Sequence, residues 1–153
     1  MDSQKYNVNF VSVAKHLLEN AGSASMGENV LILFDETTKE FLPFFKVASE
    51  DLKINLSLLE VPFLQNHGAK VNDSLLLEMS KNNLVLALLE KSIAHTNIRM
   101  KFNDKGGRFL SLPDYSLEMF SHPSIMFDYK SQLKITNIIT EMLTEGNTLE
   151  VKS

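Results

Sequence analysis

The residues best suited to chemistry lie in one run, Ser92-Ile93-Ala94-His95-Thr96-Asn97-Ile98-Arg99. Hydroxyl, imidazole and guanidinium groups this close together are the types that hold a carboxylate or move a proton. If a helix has begun by Ser92, His95 and Arg99 stand one turn apart on one face, with Ser92 on the turn before. The same residues have a structural use. Ser92 or Thr96 can cap a helix, His95 can be a first-turn residue, and Arg99 can pair with Glu90 or another surface acid. Caps are common at strand exits, so the structural use is the stronger expectation. Asp35 and Asp114, at the exits of two other strands, are the acids that could join this cluster across the top of a sheet. A serine nucleophile is disfavoured, because Ser92 lacks the flanking glycines of a nucleophile elbow.

Metal chemistry has less support. The histidines His16, His67, His95 and His122 show no spacing of the H-E-x-x-H kind, and there are no cysteines, so no metal ligands are expected. His16 lies beside the apolar stripe of a first helix, where it is structural or solvent-facing. His67 and His122 adjoin Gly68 and Pro123 and read as turn components. The lack of cysteine also excludes disulfides and fits a reducing cytoplasm.

The elements that must position the cluster follow from the apolar pattern. Leu84-Val85-Leu86-Ala87-Leu88-Leu89 is uninterrupted and reads as a strand buried on both faces, delivering the cluster at its carboxyl end. Asn29–Phe34 is a second such strand. Residues 54–61 alternate only partly, which suits a place nearer a sheet edge, and Arg108–Leu112 is a fourth strand. Thr148–Val151 begins a fifth, whose short, unpaired edge would favour association.

Helices separate these strands. Phe10, Val13, Ala14, Leu17, Leu18 and Ala21 mark the first, capped by Asn9 and ended by Gly22. Thr37-x-x-Glu40 resembles a capping box, yet Pro43 would fall inside that helix. A helix over roughly 39–51 is therefore expected to start late or to kink at Pro43, with Phe41, Phe44, Phe45 and Ala48 inward. Residues 62–72 are a long loop, after which Asp73 or Ser74 caps a short helix carrying Leu75, Leu76 and Met79. Thr96–Asp104 is the next helix, stopped by Gly106-Gly107. Residues 113–120 read as a turn and about one helical turn. A long helix opens at Asp128 and ends at Gly146.

Strands alternating with helices in this way predict one α/β domain over residues 1–153. It would be a three-layer, doubly wound, mostly parallel, Rossmann-like sheet of about five strands in the order 2-1-3-4-5, with helices on both faces. At the switch point of such a sheet a nucleotide site needs glycines and free amides. The exit Asp35-Glu36-Thr37-Thr38 has two carboxylates instead, which argues against nucleotide and flavin binding. A formal charge of -4 argues against nucleic acid. No apolar run approaches the length of a membrane span.

Several short motifs, in this order, resemble the N-terminal half of the aminopeptidase T family of thermophilic, cocatalytic-metal aminopeptidases. They are Ala14-Lys15-His16-Leu17-Leu18, Gly27–Ile32, Leu59-Glu60-Val61-Pro62, Ser92–Arg99, Gly107–Pro113, Glu118-Met119-Phe120 and Leu143–Val151. The resemblance spans nearly the whole chain, and Ser92–Arg99 is its most specific piece. Members of that family carry their divalent-metal ligands in a C-terminal domain that begins about where this sequence stops. The resemblance therefore implies an α/β domain that frames a peptide cleft and contributes to assembly, without metal or other cofactor of its own. Two situations fit: a piece of a longer peptidase, or a stand-alone descendant that kept binding or assembly. The partners expected are a second copy, a protein or a peptide. The rival expectation is a small enzyme or ligand-binding protein using Ser92, His95, Thr96 and Arg99 with Asp35 and Asp114.

Overall fold

In the computed structural model, which describes residues 9–152, four parallel strands form one sheet in the order β2-β1-β3-β4. The central strands are β1 (Asn29–Phe34) and β3 (Leu84–Leu88). The edges are β2 (Asn55–Glu60) and β4 (Arg108–Ser111). Continuous apolar runs went to the centre and the partly alternating run to an edge, as burial on two faces requires. In register, Val30 faces both Leu56 and Leu84, and Leu84 faces Arg108.

Alternation along β1 and β3 divides the interior into two cores. Val30, Ile32, Phe34, Leu84, Leu86 and Leu88 meet helices α1 (Phe10–His16), α2 (Leu42–Leu52) and α5 (Leu117–Ser121). Leu31, Leu33, Val85 and Ala87 meet α3 (Ser74–Met79) and α4 (Asn97–Asp104) on the other face. This is the three-layer α/β arrangement. In the first core the Phe120 ring lies 5.0 Å from Phe41, 5.9 Å from Phe10 and 6.0 Å from Phe45. One buried phenylalanine thereby fixes the short α5 against two longer helices. Removing such a ring typically costs about 3–5 kcal/mol.

The Pro43 conflict resolves as a late start. Lys39–Phe41 is a 3-10 turn, and α2 proper begins at Leu42 with Pro43 in its first turn, where a missing N–H does no harm. The capping box does not form, because the Thr37 hydroxyl is directed to Asp35 instead. Nor does Asp73 or Ser74 cap α3 through its side chain: the Ser74 N–H donates to Asn72 Oδ1 at 2.9 Å.

Helix α1 is capped by Asn9, as expected, but its last part widens into a π turn over Leu17–Ala21. The Gly22 N–H closes that turn on the Leu17 carbonyl at 2.8 Å. A side chain at Gly22 would meet Leu84 Cδ2 at 2.8 Å, so glycine lets the helix end lie against β3.

The π turn also aims Asn20 at the base of α6 (Tyr129–Glu145). Asn20 Nδ2 donates to Asp128 Oδ1 at 3.1 Å, and its Oδ1 accepts the Tyr129 N–H at 2.9 Å. His16 Nε2 bonds the Phe127 carbonyl oxygen at 2.8 Å, so this histidine is structural. Asp128 accepts the Ser131 N–H and caps α6.

The expected fifth strand does not form among the described residues, and Leu149 and Val151 are exposed. The hydrogen bonds tying α6 to the body are at its first turn, so the chain after it is not delivered to the β4 edge. No helix among the described residues is long and apolar enough to cross a membrane.

Candidate functional site at the carboxyl end of the sheet

The exits of β1 and β3 meet at the switch point, where an open parallel sheet presents groups to a ligand. Here the chain fills that place itself. Asp35 is 1% exposed, and both its oxygens accept hydrogen bonds from this protein. Oδ1 takes the Thr37 hydroxyl at 2.6 Å and the Thr37 N–H at 3.1 Å, and Oδ2 takes the Glu90 N–H at 2.8 Å. Thr38, also 1% exposed, accepts the Asp35 N–H and donates to the Leu88 carbonyl at 2.7 Å. The two exits are therefore joined in both directions. A buried carboxylate occupies the amides that an anion would otherwise use.

The β3 exit is bonded just as locally. Ser92 Oγ accepts the Ala94 N–H at 3.1 Å and lies 3.3 Å from Ser111 Oγ on the β4 edge. Thr96 caps α4, donating to the Ile93 carbonyl and accepting the Arg99 N–H. Helix α4 begins at Asn97, not by Ser92, so the one-turn stacking of His95 over Arg99 does not arise. Arg99 Nε donates to the Ala94 carbonyl at 2.6 Å. Among the described residues it pairs with no acid, and Glu90 pairs instead with Lys91 at 3.0 Å. A guanidinium can reach a nearby carbonyl in its own turn without ordering a second long side chain.

His95 is exposed and makes no hydrogen bond among the described residues. Asp114 is exposed too, in a left-handed conformation (φ 55°), with its N–H on the Leu89 carbonyl. No side chain of the six predicted residues bonds the side chain of another among the described residues. Asp35, Ser92, Thr96 and Arg99 are turned to the protein's own backbone, while His95 and Asp114 face solvent at separate exits.

Two features escaped the sequence reading. His67 accepts the Ser92 N–H at Nδ1 (3.1 Å), and the Gly68 N–H donates to the Ser92 carbonyl at 2.7 Å. Together they clasp the long 62–72 loop onto the β3 exit. Only the adjacent Gly68, with φ 72°, hinted at a turn here. At the opposite end of the sheet Arg108 binds the Glu28 carboxylate and the Gly22 and Ser23 carbonyls. Burial raises the Glu28 carboxyl, but hydrogen bonds from Arg108 and the Ser25 N–H outweigh it and hold the group below its ordinary value.

A groove of about 490 Å³ runs between the β2 exit and α3, walled by Leu59, Val61, Pro62, Leu64, Val71 and Leu75. It is ligand-sized, and none of the six predicted residues lines it. Among the described residues no group of three or more His, Asp or Glu side chains is placed to hold a metal ion.

No protein-family model matches the chain. No curated protein matches it. Among solved structures it is similar to 2,5-dihydroxypyridine dioxygenase from Pseudomonas putida KT2440, with a TM-score of 0.56 at 15% identity. The likeness covers 68% of this chain and 33% of the dioxygenase, so the match accounts for about a third of that protein's length. At this identity the similarity is one of fold.

Proposed function

We propose that this chain is a non-catalytic α/β domain of the aminopeptidase T type, acting in the cytoplasm through peptide binding, cleft framing or assembly. The observation that carries this reading is the internally filled switch point. Asp35 and Thr38 join the β1 and β3 exits with hydrogen bonds to this chain's own groups. A fold of this kind that has closed its usual ligand position works through other surfaces. The apolar groove beside the edge strand β2 offers one for an extended peptide.

Incubating the purified chain with aminoacyl-p-nitroanilides, with and without added zinc or cobalt, tests the reading. No release of p-nitroaniline and no stoichiometric metal are expected. Peptide cleavage by this chain with a bound divalent ion would overturn it. The rival reading assigns ligand contact to His95 and Arg99. It predicts that His95→Ala abolishes a binding or catalytic activity while leaving the melting temperature unchanged.

A further inference from the structure

Helix α6 carries six exposed apolar residues, Leu133, Ile135, Ile138, Ile139, Met142 and Leu143. None of its 17 residues is buried. Ile135, Ile138, Ile139 and Met142 fall at i, i+3, i+4 and i+7, a continuous stripe whose members are between 48% and 68% exposed. The base of the helix is held by Asn20 and capped by Asp128, so the stripe is presented on an anchored element.

Its charges say what covers it. Lys130, Lys134, Glu141 and Glu145 share one flank of the stripe, with both lysines in the first half and both glutamates in the second. Inside a single helix this order is unfavourable twice over. Like charges stand at i, i+4 in each half. The lysines also sit toward the positive end of the macrodipole and the glutamates toward the negative end. The same order is complementary to its own reverse.

We propose that α6 pairs antiparallel with α6 of a second copy of this chain. In that pair the apolar stripes face one another. The symmetry axis brings like flanks together, so Lys134 meets the partner's Glu141 and Lys130 meets the partner's Glu145. Both unfavourable features are then relieved, because Lys130 lies beside the partner's carboxyl-terminal turn and Lys134 beside the turn that precedes it. The pairing deepens the assembly reading given above and rests on it.

Sedimentation velocity from about 1 to 100 µM is the first test, a range suited to a micromolar dimer. The wild type is expected to pass from monomer to dimer. The double variants K130E/K134E and E141K/E145K are each expected to stay monomeric with unchanged circular dichroism, and their equimolar mixture to dimerise. Orientation is read by single cysteines in this cysteine-free chain. Ile139→Cys, near the middle of the helix, should form an intermolecular disulfide. Gln132→Cys, about 20 Å from its counterpart in an antiparallel pair, should not.

A monomeric wild type overturns the pairing, as do charge variants that dimerise alone or fail to complement. Cross-linking of Gln132→Cys as readily as Ile139→Cys overturns its direction. A monomer that cleaves no peptide defeats the pairing and leaves the non-catalytic reading standing. A dimer that does cleave peptides with bound metal does the reverse.

Discussion

Replacing Asp35 by asparagine removes one charge and almost no volume, and the hydrogen-bond geometry predicts how much stability goes with it. The carboxylate accepts from the Thr37 hydroxyl, the Thr37 N–H and the Glu90 N–H. An amide has one acceptor oxygen. If that oxygen stays with Thr37, the new NH2 group points at the Glu90 N–H; if it turns to Glu90, the Thr37 N–H is abandoned. Either way one buried backbone donor loses its partner. A hydrogen bond to a charged acceptor contributes about 1.5–3 kcal/mol, and at 1% exposure water cannot replace it. Asp35→Asn should therefore lose about 2–3 kcal/mol of a stability that is roughly 5–15 kcal/mol for domains generally. The midpoint should fall by roughly 4–12 °C. Urea unfolding followed by circular dichroism would read this as a lower midpoint with an unchanged slope. Thr38→Val should lose about 1–2 kcal/mol. Because the Thr38 hydroxyl also lies 3.4 Å from Asp35 Oδ1, the two side chains share a contact and the double variant should lose less than the two together. A loss below about 0.5 kcal/mol for Asp35→Asn would refute the claim that this carboxylate seals the switch point. An Asp35→Asn protein of full stability that had lost a ligand would assign Asp35 to binding.

Three further outcomes follow from single contacts. Gly107→Ala places a methyl 2.3 Å from the ring of Phe102, which is buried and would have to shift within the core; a loss of about 1–3 kcal/mol is expected in thermal melts. His67→Ala removes the acceptor of the Ser92 N–H. Cleavage within residues 62–72 in limited proteolysis should quicken several-fold, while global stability falls by no more than about 1 kcal/mol. The Asp128 carboxyl is held below its ordinary 3.8 by the Asn20 amide first and the Ser131 N–H second. The unfolded chain therefore takes up that proton more readily. The contribution of Asp128 is complete above 3.8 and is lost as pH falls through the lower folded value. Helical ellipticity between about pH 5 and 2 should show this loss in the wild type and not in Asp128→Asn.

What could be read from the sequence was whatever depends on local pattern. The runs Asn29–Phe34 and Leu84–Leu88 are apolar on both faces, which is enough to place them at the centre of a parallel sheet. Asn9, Thr96 and Asp128 have the side chains that N-caps need, and each caps its helix. Which of several available partners a polar side chain takes was not legible, whether the partner is near in sequence or far. Thr37 looks like half of a capping box until Asp35, two residues earlier, claims its hydroxyl. Arg99 looks like half of an ion pair until the turn before α4 offers the Ala94 carbonyl. His67 acts on Ser92 across 25 residues, a relation that no spacing rule encodes. The strand expected at residues 148–151 has suitable residues, but a strand exists only where a neighbour is in reach. Helix α6 departs from the body before that can happen.

That departure also determines how sharply an α6 pair would depend on its charges. Fully burying an isoleucine or methionine is worth about 1.5–3 kcal/mol. The four stripe residues already have roughly half of that burial, so two chains together would gain on the order of 6–12 kcal/mol. Association costs about 4–15 kcal/mol in lost freedom. Apolar contact alone therefore leaves the pair near balance. Four exposed ion pairs worth about 0.2–1 kcal/mol each are then enough to decide it. A long apolar interface would tolerate a reversed lysine; this one should not. The response of the dimer to K130E/K134E is therefore a measurement of how little apolar surface α6 has to offer.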